Sequence, residues 1–279
     1  MKTSMNLLLW TTHVKEEHRP VLQRLKEAGF DGVEIPLFEG DETYYRKLGQ
    51  ELQNLGLGAT AVTVMTPEAN PISPDAKVRQ AASDRLKWAI QCCAALGASI
   101  LCGPIHSALG VFSGTGPTAD ERGWAADVLR RAANVADDAG VRLAVEYLNR
   151  FECYFLTTAA DTRALVQAVG HPHCQAMYDT FHAHIEEKDP VAAIDALGDD
   201  LIHLHVSEGD RGTPGSGQVR WAETFAALKK SGYQGWYTIE AFGRALPELA
   251  AATKVWRDLF ASAEDVYTQG LAFLRSQAG

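Results

Sequence analysis

The sequence predicts an α/β fold, a closed (β/α)8 TIM barrel forming a single domain over residues 1–279, and three observations carry that expectation. Eight short apolar runs rich in Val, Ile and Leu alternate with longer segments of helical periodicity from one end of the chain to the other. Strict alternation implies a parallel sheet, and eight units imply closure rather than an open doubly wound sheet. The length of 279 residues is ordinary for such a barrel, whose usual size is about 250 residues. No Gly-x-Gly-x-x-Gly follows the first run, which counts against a dinucleotide fold.

Taken in order, residues 5–10 read as the first strand, because their apolar patch is too short for a signal-peptide core. A helix over 15–28 ends at Gly29, strand 32–37 follows, and a helix over 41–55 ends at Gly56 before strand 58–65. Ser73, Pro74 and Asp75 open a helix over 75–96, which stops at Gly97 ahead of strand 98–104. Thr118 with Glu121 three residues on is a capping box for a helix over 118–139, closed by Gly140 before strand 141–147. A helix over 158–169 ends at Gly170 before strand 175–179, and Asp189-Pro190 starts the helix 190–197 ahead of strand 201–206. A helix over 221–231 stops at Gly232, and strand 235–240 with a long helix over 247–274 completes the set. The segments that leave the strands, at 66–74, 105–117, 148–157, 180–189 and 207–220, are longer than those that enter them. They gather on the C-terminal face of a barrel, where function is expected.

Composition removes several function classes. Hydrophobic residues make up 46% and charged residues 22%, with no apolar run near the roughly 20 residues that cross a bilayer. A soluble protein without a membrane partner is expected. The net charge of -9 and the lack of a basic run exclude nucleic acid as a partner, since phosphate contacts need clustered Lys and Arg. Five cysteines in no metal-finger spacing read as reduced thiols of a cytoplasmic protein. The last helical segment carries Trp256, Leu259, Phe260, Phe273 and Leu274, which predicts a homodimer or homotetramer.

The chemistry concentrates at the ends of the last four strands. His203 and His205 share a face of strand 201–206, with His205 nearer its end, and a loop with Glu208, Asp210, Arg211 and four glycines follows. Glu146, Asp179, His205 and Glu240 are separated by 33, 26 and 35 residues, each close to one βα unit, so a barrel brings all four to one rim. Three carboxylates and one imidazole suit Mn2+, Co2+ or Mg2+ rather than a structural zinc site, which favours cysteine. Glu152, His182 and Arg211 lie just past these positions in the same loops. Each of these three, taken alone, is equally well an ion pair or an exposed loop residue.

The segments VEYLNRFECYF, MYDTFHAHIEEKDP, HLHVSEGDRGTPGSG and YTIEAFGR together resemble the ketose 3-epimerases, the D-tagatose and D-psicose (allulose) 3-epimerase group of the xylose-isomerase-like barrels. The resemblance runs through most of the chain and is densest from Val141 to Arg244. It implies a divalent metal, Mn2+ or Co2+ with Mg2+ as the alternative, on Glu146, Asp179, His205 and Glu240. It implies sugar contacts from Glu152, His182 and Arg211, with Trp10 as an apolar wall at the distal end. It also implies C3 epimerisation of a free ketose of the tagatose, fructose, psicose or ribulose type. In that chemistry Glu146 and Glu240 exchange a proton on opposite faces of an enediolate, and the metal acts as Lewis acid. Two departures from the family pattern bear on substrate choice: Tyr147, where a smaller aliphatic residue is more usual, and the loop IHSALGVFSGTGP. An aldose-ketose isomerase of the hydroxypyruvate isomerase kind, or an inosose dehydratase or isomerase, would use the same metal site. A sugar-phosphate epimerase would need a phosphate cradle that the sequence does not display. An endonuclease-IV-like repair enzyme would need more histidines and a basic face, and a non-catalytic sugar-binding barrel would exchange no proton with solvent.

Overall fold

The computed structural model describes residues 1–277 and shows a closed barrel of eight parallel strands in sequential order, β1 to β8. The strands are β1 Lys2–Asn6, β2 Gly32–Pro36, β3 Gly58–Val62, β4 Ile100–Gly103, β5 Arg142–Val145, β6 Cys174–Asp179, β7 Leu201–Val206 and β8 Trp236–Ile239. Ten α-helices are described: α1 Arg19–Ala28, α2 Glu42–Leu55, α3 Ala76–Leu96, α4 Ala119–Asp138 and α5 Ala159–Val169, then α6 Thr180–Glu186, α7 Pro190–Leu197, α8 Trp221–Lys230, α9 Pro247–Ala252 and α10 Ala263–Gln277. Closure comes from β1 pairing with β8 in the register Ser4 to Thr238, where the two hydroxyls also hydrogen-bond at 2.6 Å.

The expected caps and stops are present. Asp75, Thr118 and Asp189 each accept a backbone N–H from the first turn of α3, α4 and α7, Glu121 completes the capping box of α4, and Thr158 adds a cap to α5 beyond those expected. Gly29, Gly56, Gly97 and Gly170 end α1, α2, α3 and α5 with left-handed backbone. A large apolar layer between strands and helices and a smaller one inside the barrel bury most of the Leu, Ile, Val and aromatic side chains. At the N-terminal end of the barrel the Trp236 indole occupies space that a Cβ on Gly32 or Gly58 would fill, at 2.8 Å from either.

Three elements depart from expectation. β1 stops at Asn6 rather than reaching Trp10, because the Asn6 side chain accepts the Leu8 N–H at 2.8 Å and turns Leu7–Leu9 into a 3-10 helix. The segment after β6, expected as a loop, begins with α6, capped by the Asp179 carboxylate through Phe181 N–H at 2.8 Å. The long final helix is two helices, α9 and α10, broken where Lys254 takes a positive φ of 61 and Val255 N–H closes back on the Ala250 carbonyl. Much of the apolar surface credited to that segment is spent within the chain. Leu274 is fully buried and Phe273 packs edge-on against Trp221, whereas Trp256 stays exposed. Among the described residues no helix is long and apolar enough to cross a membrane.

Candidate metal centre

Parallel strands of similar length deliver their last side chains to one rim. Glu146 follows β5 directly, Asp179 ends β6, His205 is the fifth of six residues in β7, and Glu240 follows β8 directly. Asp179 and His205 are register partners, and His205 pairs with Thr238, two residues before Glu240 and on its face. All four side chains are buried, and their ligand atoms lie within 4.8 Å of one another. His205 Nδ1 sits 3.3 Å from Glu240 Oε1 and 3.8 Å from Glu146 Oε1, with no hydrogen-bond partner. A buried imidazole nitrogen left unpaired against carboxylates is an arrangement that a cation completes. Three carboxylates and one imidazole form a hard-to-borderline donor set, so the residues present fit a divalent ion.

The electrostatics are those of a crowded anionic cluster. Burial drives the Glu146 carboxyl well above the usual carboxylate range, with His205 opposing the rise and Glu240 and Asp179 adding to it. Burial also pushes Glu240 upward, but the His205 and Arg211 charges more than reverse this and leave it lowered. The two glutamates are therefore shifted in opposite directions. Arg211 supplies the compensating charge: its Nη1 lies 2.7 Å from Asp179 Oδ2 and 2.6 Å from Glu240 Oε2. The guanidinium is sandwiched between the Phe181 ring at 3.9 Å and the Phe242 ring at 4.8 Å.

Arg211 holds that position on a positive φ of 68, and Glu208 organises the loop around it. The buried Glu208 carboxylate accepts hydrogen bonds from Gly209, Gly215 and Val219 N–H and from the Trp221 indole, all between 2.9 and 3.1 Å. His182, on α6, is fully buried. Its Nδ1 accepts the Asn149 N–H at 2.9 Å. Its Nε2 faces Asp179 Oδ2 at 3.6 Å and Glu146 Oε1 at 3.7 Å, and lies 2.9 Å from Arg211 Nη2. Burial first, then the Arg211 charge, lowers the His182 pKa to about 3. Glu152 receives the Asn149 side-chain amide at 2.8 Å. Glu146, Glu152, His182, Arg211 and Glu240 all line one cavity of about 250 Å3. A wider outer cavity of about 480 Å3 shares Glu152 and Arg211 with it.

Two expected contributors to substrate choice lie elsewhere. The Trp10 ring packs against Tyr267 at 6.2 Å between centroids, and Leu8 and Thr12 rather than Trp10 line the cavity. The 3-10 turn after Asn6 rotates Trp10 away from the site. Tyr147 is buried edge-on against Tyr178 and is not among the cavity residues, because strand alternation sends Glu146 inward and Tyr147 outward. From the unusual loop at 105–117, Leu109 reaches the cavity, while Val111 and Phe112 are exposed.

Four supporting residues escaped sequence reasoning: Asn6, Glu34, His106 and Asn149. His106 Nε2 donates to the Glu146 carbonyl at 2.8 Å, and Asn6 Nδ2 lies 3.0 Å from both Glu34 Oε1 and Glu240 Oε1. Glu34 carried a readable signal, a carboxylate inside the otherwise apolar strand GVEIP.

Residues 22–277 match the family described as Xylose isomerase-like TIM barrel. The probable ketose 3-epimerase of Synechocystis sp. is 32% identical over 99% of this chain and 96% of its own length. The ketose 3-epimerase of Arthrobacter globiformis is 31% identical over the same shares. The crystal structure of D-allulose 3-epimerase from Methylomonas sp. in complex with D-allulose superposes with a TM-score of 0.93 at 29% identity, covering 99% of this chain and 97% of that one.

Proposed function

We propose, from the premise that this chain belongs to the xylose isomerase-like TIM barrel family and is a sugar epimerase/isomerase like its ketose 3-epimerase relatives, that it inverts free ketoses at C3. The observation that carries this reading is the set of acid/base and polar groups converging on one small cavity: Glu146 and Glu240 with His182, Arg211 and Glu152. D-fructose, D-tagatose, D-psicose and L-ribulose are the substrates of first choice.

Glu146, Asp179, His205 and Glu240 would hold a divalent ion, Mn2+ or Co2+ before Mg2+. When bound, that ion supplies Lewis acidity to the oxygens flanking the C2–C3 bond. One of the two glutamates takes the C3 proton as the C3–H bond breaks, and the electron pair enters an enediolate. The other, in its protonated form, delivers a proton to C3 from the opposite face; the C2–C3 π pair becomes the new C3–H bond, the C2 carbonyl re-forms from its oxyanion, and the inverted ketose results. Which glutamate acts first depends on the epimer that enters. Burial of both carboxylates keeps competing water from the carbanion face.

Arg211 Nη2 lies 2.9 Å from His182 Nε2, and both residues line the inner cavity. A substrate oxygen seated beside them would accept from the guanidinium. Glu152 is within the same cavity to accept from a terminal hydroxyl. The remainder of the inner cavity is formed mostly by Leu8, Phe38, Val62, Val64, Leu109 and Leu249, with Arg211 as its one cationic residue. Such a wall favours an unphosphorylated sugar. The reading includes a cytoplasmic homo-oligomer, supported by five buried free thiols and by exposed Phe151 and Trp256, which both line the outer cavity.

The test is incubation of metal-stripped and Mn2+- or Co2+-restored protein with these ketoses in D2O, followed by NMR. Metal-dependent deuterium at C3 with appearance of the epimer is expected. Deuterium at C1 or C2 with an aldose would instead identify an isomerase, and water loss from an inosose a dehydratase; no exchange with any free sugar would overturn the proposal.

A further inference from the structure

Glu34 lies on the far side of His205 from the carboxylates, in the middle of β2 and fully buried. It lines neither of the two cavities at the mouth. Its Oε1 lies 2.6 Å from His205 Nε2 and 3.0 Å from Asn6 Nδ2. Its Oε2 lies 2.7 Å from His203 Nε2, 2.8 Å from Thr60 Oγ1 and 3.2 Å from Cys102 Sγ. An ionised carboxylate only accepts, so all five neighbours donate to it. Both imidazoles must then carry hydrogen on Nε2. For His205 this leaves Nδ1, which faces Glu146 and Glu240 without a hydrogen-bond partner, as the nitrogen whose lone pair an ion would take in place of any proton there. The Asn6 amide that holds Glu34 also holds Glu240, at 3.0 Å from each carboxylate.

We infer that Glu34 is a positioning residue for the metal centre: it fixes His205 in the tautomer whose Nδ1 binds the ion and, through Asn6, sets the orientation of Glu240. The inference rests on the reading of the four-residue cluster as a metal site. Glutamine at position 34 would keep the shape but replace one oxygen by an NH2 group. Two donors on one oxygen, or three on the other, would then meet another donor, and the histidine facing it would have to move its proton to Nδ1. For His205 that is the nitrogen the ion needs. Partners of this kind that lie behind a metal-ligating histidine change affinity by about 10–100-fold when removed.

Calorimetric titration of metal-stripped wild type and Glu34→Gln with Mn2+ tests this, alongside circular dichroism of both metal-free proteins. The expected result is one ion per chain in each, with the dissociation constant of the variant raised about 10–100-fold and its secondary structure unchanged. The visible absorption band of the Co2+-loaded variant should also differ from wild type, as a merely structural change elsewhere would not require. An unchanged affinity would overturn the role of Glu34 while leaving the metal site intact, whereas a wild type that binds no divalent ion would overturn the metal reading and this inference together. Two ions per wild-type chain would mean that Glu34, Cys102, His203 and His205 hold a second ion, which also overturns it. Should Glu34→Gln not fold, long-range 1H–15N NMR of the Zn2+-loaded wild type decides: protonated Nε2 and metal-bound Nδ1 on His205 are expected, and the reverse assignment refutes the inference.

Discussion

Arg211→Met separates the internal counter-charge from the metal. Methionine keeps an apolar stem between Phe181 and Phe242 but removes the guanidinium from Asp179 Oδ2 and Glu240 Oε2, at 2.7 and 2.6 Å. Breaking a buried pair in this way leaves carboxylates uncompensated, at about 3–5 kcal/mol. For a chain of this size the unfolding entropy is about 0.6 kcal/mol per degree, so the metal-free variant should melt about 5–9 °C below metal-free wild type. A bound divalent ion supplies positive charge to the same oxygens. Saturating Mn2+ should therefore narrow the gap and stabilise the variant by more than it stabilises wild type. The sign with pH follows from Glu240, which burial raises but His205 and Arg211 hold lowered. A lowered carboxyl contributes stability above its unfolded pKa and loses it as pH falls through the folded one. The gap is thus widest near neutral pH and shrinks in acid. Differential scanning calorimetry of both proteins, stripped and loaded, is the assay. A metal-free gap under about 2 °C, or an equal gap with and without Mn2+, would refute the assignment of Arg211 as counter-charge.

Other consequences are equally accessible. Glu146→Gln and Glu240→Gln should each reduce turnover by three orders of magnitude or so, read by ketose interconversion, and retention of most activity by either would sink the two-base scheme. Glu208→Gln keeps one acceptor oxygen where four donors converge, so urea unfolding should register a loss of about 3 kcal/mol or more, with a raised KM because Arg211 rides on that loop. An unchanged midpoint would mean the loop is held by other contacts. Burial lowers the His106 pKa to about 3, against the pull of the Glu146 carbonyl. A lowered histidine takes up its proton in the unfolded state first, so stability falls as pH drops below about 6.5. His106→Asn should flatten that slope by about 1.4 kcal/mol per pH unit, and identical slopes would count against a neutral buried ring.

The periodic features of this protein were legible before any coordinates. Glycine stops and Asp or Thr caps are local chemistry, so α3, α4, α5 and α7 start and finish close to where their own residues say they should. The four cluster residues were legible for a different reason. Glu146, Asp179, His205 and Glu240 each recur about one βα unit apart at a strand end, and parallel closure carries such positions to a common rim. Only the tertiary structure decided what stands behind and around them. Asn6, Glu34, Thr60, Cys102 and His203 come from β1, β2, β3, β4 and β7, and meet around one carboxylate because the barrel closes. No spacing along the chain encodes that meeting. Trp10 looked like a cavity wall until one side-chain hydrogen bond ended β1 early, and the last helix looked continuous until Lys254 took a left-handed conformation. Local rules specify where each strand and helix begins; which side chains face one another across the barrel is set by closure, twist and stagger, which belong to the sheet as a whole.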